Sequence, residues 1–370
     1  VAEYTHQLAK HLSATGNMVK VLSHPTDAGK DAFFDRSCNY EVVRVPRVAS
    51  QKNLPLRQWK CYRTIADTAD GWEADLIVAN TVFAYGHLCA LAARFRRIPY
   101  VVLTFALEIA NPCGAKLTAI REIALRSAEL VVCISSFAQG LVIRHGVSKE
   151  STLIVPGCVA AEEFVSNRPK QSSKFTEEFG LNNRKVIGTL GRLVPRKGID
   201  TVIEALPAVV EKIPDVIYLV GGNGPYETTL RRKAAQRGVE RNVVFAGRIW
   251  ENERQDFYDA LDLFAMPCRH IGEADVEGFG IVFTEANACG VPTVVGRSGG
   301  AVEAVEHGKT GLLVSPHNVD EVSNALLSLL ANSEKARKMG KRGRRRVEDC
   351  FTWGKQVPRL EKYLTSLVEK

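Results

Sequence analysis

The stretch Lys185-Val186-Ile187-Gly188-Thr189-Leu190-Gly191-Arg192-Leu193-Val194-Pro195-Arg196-Lys197-Gly198 joins a short apolar run to a basic turn bounded by glycines. Its first six residues have the length and β-branched character of a strand covered on both faces. Gly191, at the carboxyl end of that strand, lets main chain approach a ligand closely, and Arg192 and Lys197 can straddle a diphosphate. After Gly198 the apolar positions Ile199, Val202, Ile203 and Leu206 recur at helical spacing, so a helix follows. Strand, glycine turn and helix in that order are the repeating unit of a parallel α/β sheet. Taken alone, the basic cluster reads more readily as a solvated turn, and it lacks the lysine-serine ending of a P-loop.

The same rhythm extends in both directions. Strand-like runs are Met18–Leu22, Glu41–Val45, Asp75–Ala79, Tyr100–Leu103, Leu130–Ile134 and Thr152–Val155, then Lys185–Leu190, Val216–Val220, Asn242–Ala246, Asp262–Met266, Pro292–Val295 and Gly311–Val314. Helical patterns alternate with them, which predicts a doubly wound α/β architecture with two Rossmann-like domains facing across a cleft. The rhythm breaks once, in the polar stretch from Ser166 to Lys174, and the boundary is placed near residue 168. The domains expected are 1–167 and 168–350, with 351–370 a terminal helix packing back on the first. Residues 3–15 read as a helix with Tyr4, Leu8 and Leu12 on one face and no strand before it. An α/β domain normally opens on a strand, so the natural N-terminus is expected to lie upstream of Val1.

Bulk properties narrow the class. At 370 residues the chain is too long for one ordinary core, and 45% hydrophobic with 24% charged residues is the composition of a globular enzyme. No apolar run approaches the ~20 residues that span a bilayer, and no secretory signal is visible. The nine cysteines are odd in number and widely spaced, and several sit in apolar runs, as Cys133 does. Buried thiols in a reducing cytoplasm explain them better than disulfides or a metal site. The net charge of +8 permits an anionic partner without selecting one. The basic run from Lys335 to Arg346 alternates with Ala336, Met339 and Val347, so a solvated helical face is expected there and no nucleic-acid site. None of the eight histidines falls at a metal-ligand spacing, and His307 is expected to cap a helix end.

A second cluster, Glu277-Gly278-Phe279-Gly280-Ile281-Val282-Phe283-Thr284-Glu285, sets two glycines around an aromatic before a helix over about 281–289. Amides at such a helix start can bind phosphate oxygens or sugar hydroxyls. One carboxylate can then serve the sugar and the other ribose hydroxyls. In the plainer alternative Glu277 caps the helix and Glu285 is solvated.

Together the two clusters resemble the retaining glycosyltransferases of family 4, the large group with the two-Rossmann GT-B fold. In that family an arginine and a lysine of a Gly-Arg-Leu…Lys-Gly loop bind the donor diphosphate, matching Arg192 and Lys197. The family's Glu-x7-Glu motif matches Glu277, beside the transferred sugar, and Glu285, on the ribose. Gly221-Gly222-Asn223-Gly224-Pro225, Phe245-Ala246-Gly247-Arg248 and Gly296-Arg297-Ser298-Gly299-Gly300 match further landmarks. The resemblance covers nearly the whole chain, and Asp275-Val276-Glu277-Gly278-Phe279-Gly280-Ile281-Val282 looks like the mannosyltransferases that extend phosphatidylinositol mannosides.

The resemblance implies catalytic roles for Glu277, Arg192 and Lys197, and donor binding by Gly191, Arg248, Ile249, Gly278, Phe279, Gly280, Ile281 and Glu285. It implies retaining transfer of a hexose, foremost mannose from GDP-mannose, with UDP-glucose or UDP-N-acetylglucosamine next. The acceptor would be lipid-linked or a saccharide, and no metal or other cofactor would be required. In relatives with lipid acceptors the part of the first domain matching residues 52–63 meets the membrane, so a cytoplasmic protein peripheral on the inner face is expected. The same composition suits an ordinary solvated helix.

Two departures bear on the acceptor side. The family's first strand and Gly-Gly loop should lie just before Val1. Where the family reads Thr-His-Gly-x-Glu, this chain has Thr104-Phe105-Ala106-Leu107-Glu108. Phenylalanine cannot donate to a sugar hydroxyl, and alanine restricts the backbone relative to glycine. The rival reading is therefore a degenerate protein that binds nucleotide sugar without efficient turnover.

Overall fold

The computed structural model describes residues 2–369 except 27, 46–53, 161–162, 165–168, 171–172 and 273. The chain forms two compact units, Val1–Pro156 with Trp353–Lys370, and Gly157–Thr352.

In the first unit the strands are β1 (Lys20–Ser23), β2 (Glu41–Arg44), β3 (Ile77–Ala79), β4 (Tyr100–Thr104), β5 (Leu130–Cys133) and β6 (Thr152–Ile154). The helices are α1 (Ala2–Ala14), α2 (Ala28–Ser37), α3 (Leu54–Gly71), α4 (His87–Arg96), α5 (Leu107–Ala110), α6 (Ala115–Arg126) and α7 (Ser136–Arg144). β3, β4, β5 and β6 pair in that order as a parallel sheet, while β1 and β2 form a separate parallel pair. The terminal helix, which we label α15 (Trp353–Val368), belongs to this unit. Its Trp353 is buried, edge-on to Tyr4 at 4.9 Å between ring centres and stacked on His11 at 5.7 Å.

The second unit holds α8 (Lys174–Glu178), β7 (Val186–Leu190), α9 (Ile199–Lys212), β8 (Ile217–Gly221), α10 (Glu227–Gln236) and β9 (Val243–Gly247). There follow α11 (Arg254–Asp259), β10 (Leu263–Met266), α12 (Ile281–Ala288), β11 (Thr293–Gly296), β12 (Gly311–Val314), α13 (Val319–Leu330) and α14 (Ser333–Cys350). Its six strands are all parallel in the order β12-β11-β10-β7-β8-β9. Because β7 starts the unit, the strand order reverses between β7 and β10, and ligands of such sheets bind beyond the carboxyl ends at that reversal. The core lies between sheet and helices: α9 buries Ile199, Val202, Ile203, Leu206 and Val209, each worth about 1.5–3 kcal/mol when fully buried.

The division between units falls at Pro156/Gly157, earlier than the polar stretch where it was expected. Residues 166–168, 171 and 172 of that stretch lie outside the described residues. The physical reason is that Cys158, Val159 and Ala160 are buried, and Val159 pairs with Thr352 while its N–H donates to the Phe351 carbonyl at 2.8 Å. Phe164 packs on Tyr258, so the chain has already joined the second core before the polar residues begin.

Two smaller expectations are revised. His307 caps no helix; its Nδ1 accepts the Leu313 N–H at 2.9 Å, beside β12. In the basic run, Arg344 and Arg346 are not solvated cations. Arg344 donates to the Phe164 and Ala288 carbonyls, and Arg346 to those of Ala304 and Glu303.

Candidate functional site

The reversal point is flanked by the loop after β7, residues 191–198, and the loop after β10, residues 267–280. They carry the two sequence clusters. A short 3-10 turn, Pro195–Lys197, follows β7 and ends on Gly198 in the left-handed region (φ +68°). A Cβ on Gly198 would lie 2.1 Å from the Pro267 carbonyl oxygen, so only glycine lets the loops after β7 and β10 touch here.

Lys197 is buried, and its Nζ donates to Glu277 Oε2 at 2.7 Å. Arg196 reaches the same loop, with Nη1 3.0 Å from Asp275 Oδ1 and Nε 3.8 Å from Glu277 Oε2. Burial pushes the Glu277 carboxyl up, but the charge and hydrogen bond of Lys197 and the charge of Arg196 outweigh it, leaving Glu277 below the ordinary glutamate value. Glu277 therefore stays ionised next to two cations. It does not cap α12, whose N-cap is Gly280 (φ +81°) with no side-chain bond. The Glu277 carbonyl instead accepts the Gly300 N–H at 2.9 Å.

Arg192 stands apart. It is exposed and makes no side-chain hydrogen bond or ion pair among the described residues. The loop thus offers two cations already paired, Arg196 and Lys197, and one facing solvent. α12 adds the N–H groups of Ile281 and Val282 at its start, while that of Phe283 already donates to the Gly280 carbonyl at 3.0 Å.

Glu285 is not solvated: it is 2% exposed. Arg254 Nη1 donates to its Oε1 at 2.8 Å and Tyr258 Oη to its Oε2 at 2.7 Å. Burial and the Glu285 charge raise the Tyr258 hydroxyl far above its usual range, so it remains a donor. Each Glu285 oxygen keeps a lone pair for another partner. Arg254 and Tyr258 lie four residues apart on α11 and were not singled out from the sequence; that spacing on one helical face is the signal that could have found them. Arg196 and Asp275 were likewise missed, although both adjoin motif residues.

The other expected donor-binding residues divide by environment. Gly191 donates its N–H to the Gly221 carbonyl at 3.0 Å. Arg248 is exposed and lies over the Trp250 ring at 3.7 Å, while Ile249 is half-buried. Phe279 is buried against Phe351, 5.5 Å between ring centres, so its ring is committed to the core. Gly278 and Ile281 are half-buried and Gly280 is buried.

In the first unit, Thr104 is buried and its hydroxyl donates to the Val132 carbonyl at 3.5 Å. Phe105 lies edge-on to Tyr4 at 5.3 Å, and its N–H donates to Glu108 Oε1 at 2.7 Å. Burial raises the Glu108 carboxyl above its ordinary value against the pull of that bond. Ala106 takes φ +75° and ψ −49°, a conformation that costs a non-glycine residue about 1–3 kcal/mol. The family's glycine would remove that strain. Of the segment 52–63, residues 52 and 53 lie outside the described residues, and the rest begins α3 with Leu56 and Trp59 exposed and Trp59 stacked on Tyr62 at 5.6 Å. Among the described residues no helix is long and apolar enough to cross a membrane.

The Glu277 environment fixes a pH dependence. Its folded value lies below the unfolded one, so its contribution is present above the ordinary glutamate range and is lost as pH falls through the lowered value. Acid unfolding of Glu277→Gln is expected to start from lower stability at pH 7 and to lose less on acidification, read from urea midpoints at pH 7 and pH 3–4. Parallel losses in both proteins would contradict this.

Two family models cover the chain: the Glyco_trans_4_4 model, "Glycosyl transferase 4-like domain", matches residues 1–158 and the Glycos_transf_1 model, "Glycosyl transferases group 1", matches 171–346. A GDP-mannose-dependent alpha-(1-6)-phosphatidylinositol monomannoside mannosyltransferase of Mycobacterium tuberculosis is 33% identical over 347 residues, 92% of this chain and 88% of the relative. A protein of the same description from Mycolicibacterium smegmatis is 40% identical over 250 residues, 67% of this chain and 65% of the relative. Among solved structures, Anabaena HepE in complex with UDP-glucose superposes with a TM-score of 0.80 at 25% identity, covering 97% of this chain and 94% of that one. With two parallel-sheet units, paired clusters at a strand-order reversal and relatives matched over most of their length, the chain belongs to the group 1 glycosyl transferases, family 4, and is a glycosyltransferase of GT-B fold.

Proposed function

We propose that the chain transfers mannose from GDP-mannose, with retention of anomeric configuration, to a phosphatidylinositol-mannoside-type glycolipid. The observation that carries the reading is the Lys197–Glu277 pair at the reversal point, with Arg192 exposed and, among the described residues, unpaired on the same loop after β7. An incoming diphosphate meets Arg192 first and then competes with Glu277 for Lys197. Once Lys197 turns to the diphosphate, Glu277 is freed to face the sugar and to stabilise positive charge at the anomeric carbon. Arg192, Lys197 and the α12 amides offset the negative charge that grows on the leaving diphosphate, the role a metal plays elsewhere. The acceptor hydroxyl attacks from the face the diphosphate leaves, without a covalent intermediate; its C–O bond to the anomeric carbon forms as that of the diphosphate breaks, and its proton passes to the departing diphosphate oxygen. Support for mannose and for the lipid acceptor is the description of the two mannosyltransferase relatives and the resemblance of the Asp275–Val282 stretch to such mannosyltransferases. A lipid acceptor brings the protein to a membrane surface, where exposed Leu56 and Trp59 beside Arg57, Lys60 and Arg63 suit peripheral contact.

One observation favours a second reading, binding without efficient turnover: Phe105 places an apolar ring where the family has a hydrogen-bonding histidine. Both readings are tested by following label from GDP-mannose, UDP-glucose and UDP-N-acetylglucosamine into vesicles containing phosphatidylinositol monomannoside, with EDTA present. Transfer of mannose alone, at ~1 per second or faster and α-linked by NMR, is expected. Nucleotide binding without transfer, restored in part by Phe105→His, would establish the second reading. A strict manganese or magnesium requirement would overturn the metal-free mechanism.

A further inference from the structure

We infer that Arg269, paired with Asp200, is a positioning residue for the donor-binding lysine; the inference rests on the donor site proposed above. Arg269 follows β10, and its guanidinium is buried. Its Nη2 donates to Asp200 Oδ2 at 2.7 Å and its Nη1 to Thr201 Oγ1 at 3.0 Å, both on the first turn of α9. Its main-chain N–H donates to the Arg196 carbonyl at 2.9 Å. One residue therefore grips the chain on both sides of Lys197, at 196 and at 200–201. The grip continues at Gly198, in contact with the Pro267 carbonyl.

Asp200 is the node of this arrangement. Tyr226, from the segment after β8, donates its hydroxyl to the same Asp200 Oδ2 at 3.2 Å. Loops from three neighbouring strands, β7, β8 and β10, thus converge on one buried carboxylate at the start of α9, where the helix dipole favours negative charge. Thr201 extends the network by donating to the Pro316 carbonyl at 3.1 Å. Lys197 and its partner Glu277 sit on the two segments that Arg269 joins, so the pair fixes where the ammonium stands relative to the carboxylate. The Arg269 hydrogen bonds go to protein groups, Asp200, Thr201 and the Arg196 carbonyl. A bidentate, planar fork is what spans Asp200 and Thr201 together, and lysine, with one point charge, cannot reproduce both contacts.

The test separates positioning from general stability by comparing a ligand that feels Lys197 with one that does not. Affinities of GDP and guanosine, and of UDP and uridine, are measured by calorimetry for the parent chain, Arg269→Lys, and the double variant Arg269→Met with Asp200→Asn. The double variant leaves no unpaired buried charge and so protects folding. The account expects nucleoside diphosphate affinity to fall by ~10-fold or more in the double variant while nucleoside affinity stays within about 2-fold. Arg269→Lys should recover part of the loss. Adding Lys197→Ala to the double variant should lower diphosphate affinity less than it does in the parent, since the lysine is already displaced. Unchanged diphosphate affinity, or equal losses of diphosphate and nucleoside, would overturn the role of Arg269 alone. A parent chain that binds neither GDP nor UDP would instead overturn the donor-site reading and this inference with it.

Discussion

Lys197→Ala is expected to lower kcat/KM for sugar transfer by about 30- to 1,000-fold, equivalent to about 2–4 kcal/mol of transition-state stabilisation. The lysine is buried and its Nζ lies 2.7 Å from Glu277, so its charge is screened less than that of a surface cation. Arg192→Ala removes a cation that is exposed and free, so its effect should sit at the lower end of the same range. The two variants differ in a second respect. Removing Lys197 leaves Glu277 only partly compensated, by Arg196 Nε at 3.8 Å among the described residues, so the loss of stability falls below the ~3–5 kcal/mol of a fully stranded buried charge. Pairing Lys197→Met with Glu277→Gln restores most of that stability without restoring activity. Transfer assays over a range of donor concentrations down to well below KM, with urea unfolding of the same proteins, check both halves. Recovery of activity in the double variant would contradict the charge-stabilising role.

Gly222→Ala should be nearly as damaging, although residue 222 bears no functional group. A Cβ there would lie 1.9 Å from the Gly191 carbonyl oxygen and 2.8 Å from its carbon, and Gly222 has φ +116°. The backbone conformation costs an alanine about 1–2 kcal/mol, and pushing main chain apart adds about 1–3 kcal/mol. The displaced neighbour is Gly191, next to Arg192, and a shift of ~1 Å in a positioning loop can cost ~100-fold in rate. Gly238→Ala is the control, because Gly238 has φ +67° but open space around its Cβ position. Gly238→Ala should lose stability alone, and Gly222→Ala stability and donor affinity together, by urea midpoints and nucleotide titration. Equal effects on donor affinity would contradict the contact argument.

Local pattern made much of this legible. Apolar runs bounded by glycine and polar turns located the strands among the described residues to within a few residues, most plainly where a strand is covered on both faces, as β4, β5, β7 and β8 are. The helix after Gly280 was equally plain. What the sequence could not convey was non-local. The strand order, with β7 next to β10, decides that residues 191–198 and 267–280 become neighbours, and no periodicity encodes it. The pairing of β1 with β2 apart from β3–β6 was hidden for the same reason. Glu285 looked as free to be solvated as to bind ribose until Arg254 and Tyr258 were seen to hold it. The unit boundary was misplaced because polar composition marks a surface segment, not the point where the chain changes cores. Phe351, Thr352 and Val159 decide that point through contacts distant in sequence.

In the mechanism proposed above, Arg192 and Lys197 hold the diphosphate of a nucleotide sugar. Calorimetry of GDP, UDP and their nucleosides against the parent chain, Arg192→Ala and Lys197→Ala tests it most directly. At least one nucleoside diphosphate should bind the parent, and each variant should weaken it by ~10-fold or more, about 1.4 kcal/mol, with the nucleoside unaffected. Diphosphate affinity unchanged in Arg192→Ala and Lys197→Ala would contradict it and place the donor elsewhere.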